Sequence, residues 1–211
     1  MPKAIIFDLD GLLIDSQPLQ YRAYHNAFKK FGYNLTRKGW KMWIHNSLNP
    51  RTWIAREKLN IDLLKVRKEK RKIFEKLVET ELKLKPGARA LINKLYKKYP
   101  LAIASSSRIE SILLILKKFS FTQKFKVILS DTKMKRGKPF PDIFLKAAQK
   151  LKTKPYDCVV FEDSLAGFAA AKAAGMKCIV CPDSFCPVPL TQFKKADKII
   201  KSLKNITLSD L

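Results

Sequence analysis

Acidic residues are scarce in this sequence: 18 aspartates and glutamates stand against 43 lysines and arginines, for a formal net charge of +25. Such an excess fits either a nucleic-acid surface or a general lysine bias that also draws small phosphorylated molecules. The basic residues (Lys29 and Lys30, 68–72, Lys97 and Lys98, Lys117 and Lys118, Lys194 and Lys195) are scattered over solvent-facing positions and form no single block with interleaved aromatics. Nucleic acid is therefore not the expected partner. Long apolar runs are missing too. Hydrophobic residues make up 46% of the chain, yet no uninterrupted run approaches the roughly 20 residues of a membrane span, so no membrane partner is expected. Residues 1–8 enter an apolar strand at once, with no charged segment, apolar stretch and cleavage site in series, so a cytoplasmic location is expected. Four cysteines in 211 residues are too few for a disulfide scaffold. Cys178 and Cys181 have the spacing of half a zinc knuckle, and Cys186 follows. Cys178 sits in the apolar run 177–181, however, and neither His25 nor His45 is near in sequence, so no zinc site is expected.

What is present is an alternation. The apolar run 4–7 ends abruptly at Asp8-Leu9-Asp10-Gly11, and further short apolar runs recur at 101–104, 127–129, 158–161 and 178–180. Each is of strand length, and helical patterning separates them. This predicts an α/β fold: a doubly wound, Rossmann-like parallel sheet covered on both faces. Between the first two runs lies a long stretch with helical periodicity. Tyr21, Tyr24, Ala27, Phe28 and Phe31 share one face before Gly32, a second helix is predicted over 53–59, and a third over 62–82. The expected organisation is a catalytic core of 1–15 and 86–211 with an inserted α-helical cap of 16–85. Trp40, Trp43 and Trp53 are expected to pack the small core of that insert.

In an open parallel sheet, ligands bind beyond the carboxyl ends of the strands, and the polar signals fall there. Asp8 and Asp10 follow the first run, Ser105, Ser106 and Ser107 the second, and Glu162 and Asp163 the run 158–161. Lys138 lies in Gly137-Lys138-Pro139-Phe140-Pro141-Asp142, a proline-bounded loop before a helix. Carboxylates gathered on one rim repel one another unless a hard cation sits among them, and oxygen ligands beside a phosphate suit magnesium. A hydroxyl and an ammonium add the positioning and charge stabilisation that phosphoryl transfer needs.

Four segments, in order, resemble the signatures of the haloacid dehalogenase superfamily: 8–16 with its Asp8-Leu9-Asp10-Gly11, Ser105 ending an apolar strand, Lys138 in its proline loop, and Phe161-Glu162-Asp163-Ser164 through Gly167. The likeness covers 1–183, with a cap-sized insert between the first two signatures. It implies Asp8 as nucleophile and magnesium ligand, and Asp10 as general acid and base that binds the metal through its carbonyl. Ser105 would bond the transferring phosphoryl group, with Ser106 beside it, Lys138 would balance its charge, and Glu162 and Asp163 would complete the Mg2+ site. A carboxylate two residues after the nucleophile argues for phosphate chemistry over dehalogenation.

Asp15-Ser16-Gln17-Pro18-Leu19-Gln20 and Glu162-Asp163-Ser164 are most similar to the beta-phosphoglucomutase and sugar-phosphate phosphatase subgroup. Gln17 stands where glutamate is frequent there and Gln20 where histidine is common, and the stretch 44–51 lacks a glycine-led specificity loop. These departures favour a phosphatase of a small phosphorylated metabolite over the alternative, a beta-phosphoglucomutase-like phosphotransferase. A basic nucleic-acid-binding protein on a non-catalytic core of the same kind is the alternative from another class. Arg51 is a candidate grip for a second phosphate, and a monomer is the expected state.

Overall fold

The computed structural model describes residues 1–46, 48–185 and 187–211. Cys186, and Ser47 of the stretch 44–51, lie outside the described residues. Two compact units emerge: Met1–Asp15 with Lys83–Leu211, and Ser16–Leu82.

Among the described residues the first unit is built on six strands, β1 (Ala4–Phe7), β2 (Leu101–Ser105), β3 (Val127–Ser130), β4 (Cys158–Glu162), β5 (Lys177–Val180) and β6 (Lys198–Ile199). They form one parallel sheet in the order β3-β2-β1-β4-β5-β6. The five apolar runs account for β1 to β5. The two-residue β6 offers only Lys198 and Ile199, too short for any pattern to register. Successive side chains on a strand point to opposite faces, and both sets are buried here. Ala4, Ile6, Ala102, Ala104, Val160 and Cys178 pack with α7 (Asp142–Lys150) and α8 (Leu165–Ala173). Ile5, Phe7, Ile103, Val159 and Phe161 are equally buried. Phe7 stacks on Phe161 across the β1–β4 pairing, with ring centroids 5.0 Å apart. Burial on both faces is what near-continuous apolar strands of a parallel sheet require.

The chain leaves this unit after Asp15 and returns at Lys83, and main-chain bonds join the two points: Asp15 N to Lys83 O at 2.9 Å and Lys85 N to Leu13 O at 2.9 Å. The Lys85 ammonium adds ion pairs to Asp183 (2.7 Å) and Asp15 (3.1 Å). Burial opposes the charge on Lys85, but Asp183 and Asp15 overcome it and hold its pKa above the ordinary value.

Among the described residues the second unit holds four helices, α1 (Gln17–Lys29), α2 (Arg37–His45), α3 (Pro50–Arg56) and α4 (Leu63–Glu81), where three were expected. α2 went unread because charges crowd its apolar stripe, leaving Trp40 and Trp43 as the inward signal; Thr36 caps it by accepting from Gly39 N at 3.1 Å. The helix expected over 53–59 runs instead from Pro50, at whose start Asn49 and Thr52 form a reciprocal cap. α1 packs along α4. Trp40, Trp43 and Trp53 are buried, Trp43 stacking on Trp53 at 5.5 Å, so they fill the interior of this unit as expected. No helix among the described residues is long and apolar enough to cross a membrane.

Candidate active site

The carboxyl ends of β1, β2 and β4 face one rim because parallel strands point the same way. Asp8 leaves β1 anchored by its main-chain N–H on Phe161 O at 3.0 Å. The chain then turns tightly through Gly11, whose N–H reaches Ile14 O at 3.0 Å. Gly11 has φ +85°, and a β-carbon there would lie 2.1 Å from Asp163 Oδ2. Only glycine lets the loop after β1 and the loop after β4 approach this closely.

Asp8, Glu162 and Asp163 are buried, and they offer carboxylate oxygens that all lie within 4.8 Å of one another. Among the described residues this is the one group of three or more acidic, histidine or cysteine side chains able to hold a metal ion. Lys138 enters from the loop before α7 and donates to Asp8 Oδ1 and Glu162 Oε1, each at 2.5 Å. Its side chain is 5% exposed, and its ammonium lies 5.1 Å from the centroid of Phe144.

Burial drives the Asp8 carboxyl up to about 8; Lys138 pulls it down, while Glu162 and Asp10 push it further up. Burial likewise raises Asp163 well above the usual carboxylate range, reinforced by the charges of Asp8, Glu162 and Asp183. For Lys138 burial opposes the charge, but Asp8 and Glu162 outweigh it and hold the ammonium above its ordinary value. Unmet negative charge among hard oxygen donors is the condition a divalent cation such as Mg2+ relieves, so the donor set fits one.

Glu162 is the most committed member. Its Oε2 accepts from Asp163 N (3.0 Å), Ser164 N (3.2 Å) and Ser164 Oγ (3.0 Å), while Oε1 takes Lys138. Gly167 makes room for it: a β-carbon there would lie 1.8 Å from Glu162 Oε1. Ser164 also caps α8, accepting from Gly167 N at 3.1 Å.

The Asp10 side chain turns to the loop after β2. Its Oδ2 accepts from Ser107 Oγ at 2.7 Å and Ser105 Oγ at 3.3 Å. Ser105 is fully buried, accepts from Ser107 N at 3.0 Å, and does not cap the following helix, α6 (Ile109–Lys118). Ser106 is exposed and gives its hydroxyl hydrogen to Asp131 Oδ2 at 2.6 Å. Asp8, Asp10, Ser105, Lys138, Glu162 and Asp163 are thus linked by direct contacts or shared loops. Arg51 is exposed on the first turn of α3, in the other unit.

Sequence reasoning singled out neither Ser107 as a partner of Asp10 nor Asp131 as a partner of Ser106. For Ser107 the signal was the run of three serines, in which alternate hydroxyls share a side. For Asp131 there was none until β3 was placed beside β2. The described cysteines, Cys158, Cys178 and Cys181, take no part. Burial raises the thiols of Cys158 and Cys181 to about 11 and that of Cys178 higher still, so all three stay protonated near neutrality.

Comparison with known proteins places this geometry in context. The family model described as haloacid dehalogenase-like hydrolase matches residues 5–181. The chain is similar to hexitol phosphatase B of Escherichia coli (strain K12), 34% identical over 226 residues that cover 99% of this chain and 96% of that protein. It is also similar to the phosphorylated carbohydrates phosphatase of Thermotoga maritima, 33% identical over 182 residues, 83% of this chain and 82% of that one. Among solved structures it resembles CbbY from Rhodobacter sphaeroides in complex with phosphate, with a TM-score of 0.89 and 28% identity over 100% of this chain and 99% of that chain.

Proposed function

Because the chain belongs to the haloacid dehalogenase-like hydrolases, we propose that it is a magnesium-dependent phosphatase of a small sugar or polyol phosphate, working through a phosphoaspartate on Asp8. The observation that carries the reading is the buried Asp8 carboxylate at the end of β1, with Lys138 on one oxygen at 2.5 Å and Asp163 in the same carboxylate group. The phosphatase and carbohydrate-phosphate names of the relatives support the substrate class.

The chemistry follows from these side chains. Asp8 attacks the phosphorus of the monoester, the ester P–O bond breaks, and Asp10 gives a proton to the departing alcohol oxygen. Asp10 then takes a proton from water, whose oxygen attacks the phosphoaspartate, releasing phosphate and restoring Asp8. Ser105 and Lys138 bond the phosphoryl oxygens, and Lys138 also pulls the Asp8 pKa down against burial. Asp8, Asp163 and the main-chain carbonyl of Asp10 would hold magnesium, with Glu162 completing the anionic wall while its oxygens stay with Lys138 and the Ser164 loop. When bound, the cation neutralises the phosphoryl group and the carboxylates around it. In this reading Ser16–Leu82 serves as the cap that selects the substrate, and Arg51 is its candidate contact to a second phosphate.

The test is phosphate release from a panel of sugar and polyol phosphates with magnesium and with EDTA. Release that needs magnesium is the expected result. Absence of release across the panel would overturn the reading. Conversion of beta-glucose 1-phosphate to glucose 6-phosphate with a bisphosphate primer, in place of release, would give the activity to a mutase.

A second expectation concerns protons. Burial pushes the Asp8 carboxyl up to about 8 in the absence of metal, so a cation binding there near neutrality should displace a proton. Adding magnesium at pH 7 should therefore release protons, and its affinity should tighten as pH rises towards 8. Titration calorimetry in two buffers of different ionisation heat measures this directly. An identical heat in both would show that no raised carboxyl takes part.

A further inference from the structure

β3, which contributed nothing to the expected site, ends in Ser130 and is followed directly by Asp131. Ser130, 5% exposed at the end of β3, donates through Oγ to Ser107 O at 2.6 Å, with Thr132 Oγ1 2.7 Å from the same hydroxyl. The next residue, Asp131, accepts at one oxygen, Oδ2, from Ser106 Oγ at 2.6 Å and from Lys138 N at 3.3 Å. A β-carbon on Gly137 would come within 3.0 Å of that same oxygen, so the loop carrying Lys138 passes directly over the carboxylate. The neighbouring cation, Arg136, is engaged elsewhere, on Asp142 at 2.9 Å.

These contacts join two segments that the sequence separates by about thirty residues. The serine loop sets Asp10, through the Ser107 and Ser105 hydroxyls. The lysine loop sets Asp8 and Glu162, through the Lys138 ammonium. The pairing of Ser105 with Ser130 in the β2–β3 register explains why β3 can reach both. We propose that Ser130 and Asp131 are positioning residues for the reaction, with Asp131 tying the serine loop to the lysine loop and so fixing where the ammonium stands relative to Asp10. This rests on the proposed phosphatase reading. A carboxylate suits the role because it only accepts, and its charge strengthens bonds from a hydroxyl and a main-chain N–H. The stake is geometric, since a displacement of about 1 Å in a catalytic group can cost on the order of 100-fold in rate.

The experiment compares wild type, Asp131→Ala and Asp131→Asn by steady-state kinetics on a substrate found with the panel, and by hydrogen exchange over 104–108 and 136–139. Asp131→Ala should lower kcat by about 10- to 100-fold, with KM changing much less, and should speed exchange in both segments while the rest of the sheet keeps its protection. Asp131→Asn, whose carbonyl oxygen still accepts both bonds, should recover most of kcat and most of the protection. Unchanged exchange in both segments of Asp131→Ala overturns the proposal, as does an equal loss of kcat in the alanine and asparagine variants. Should the wild type hydrolyse nothing in the panel, the phosphatase reading falls by itself, and the exchange data alone decide whether Asp131 joins the loops.

Discussion

Asp8→Asn should abolish phosphate release, by on the order of 10,000-fold or more, the scale on which removal of a nucleophile acts. The substitution keeps the shape of the side chain and one carbonyl oxygen that can accept from Lys138, which also retains Glu162 at 2.5 Å. It removes the anion that attacks phosphorus and one carboxylate from the group able to hold the cation. The variant should therefore stay folded, with its thermal midpoint within about 5 °C of wild type, and should show no magnesium-dependent release under any panel condition. The contrast between intact folding and lost chemistry is what makes the result informative. Release surviving in Asp8→Asn would move the nucleophile elsewhere on the rim and overturn the phosphoaspartate. Loss of activity together with unfolding would leave catalysis and packing confounded, so circular dichroism and a thermal scan belong in the same experiment.

Much of the frame behind this prediction is legible in the sequence, for identifiable reasons. β1, β2 and β4 are buried along their whole length and β3 and β5 nearly so, so their interiors are apolar and most of their carboxyl ends are marked by the first polar residue. That is why the chain alone assigns Asp8, Ser105, Glu162 and Asp163 to one rim. Lys138 lies 130 positions from Asp8, and only the proline-bounded loop before α7 signalled it. What escaped was whatever depends on lateral order. The sheet order sets β3 beside β2, and this neighbourhood brings Ser130 and Asp131 to the serine loop; a linear chain carries no mark of it. The commitment of Glu162 to Lys138 and the Ser164 loop is hidden for a similar reason. A carboxylate after a strand reads as a metal ligand, and only burial among N–H donors reveals that both its oxygens are engaged. α2 was obscured by Arg37, Lys38 and Lys41 on its outer face, although Trp40 and Trp43, three apart, mark the inner one.

Lys138→Met should lose both activity and stability, and the stability loss should depend on pH in a definite direction. Methionine preserves an unbranched apolar stem against Phe144 while deleting the only ammonium found between Asp8 and Glu162 among the described contacts. Breaking a buried ion pair by removing one partner costs about 3–5 kcal/mol, because the remaining charge is left uncompensated. The sign with pH follows from Asp8. Its carboxyl is already raised to about 8 by burial, with Lys138 pulling the other way, so removing Lys138 raises it further. A carboxyl whose folded pKa exceeds its unfolded value contributes stability that is complete at acid pH and is lost as pH rises through the folded pKa. In wild type the ionised Asp8 above pH 8 still has Lys138; in the variant it must either keep its proton or bury a lone charge. The penalty of Lys138→Met should therefore be smallest in acid and largest above pH 8. Urea unfolding of both proteins in EDTA at pH 5.5, 7 and 9 measures it. A penalty of the same size at all three values would mean that Lys138 supports the fold through packing and not through its charge on Asp8 and Glu162, and the electrostatic half of its proposed role would have to be given up.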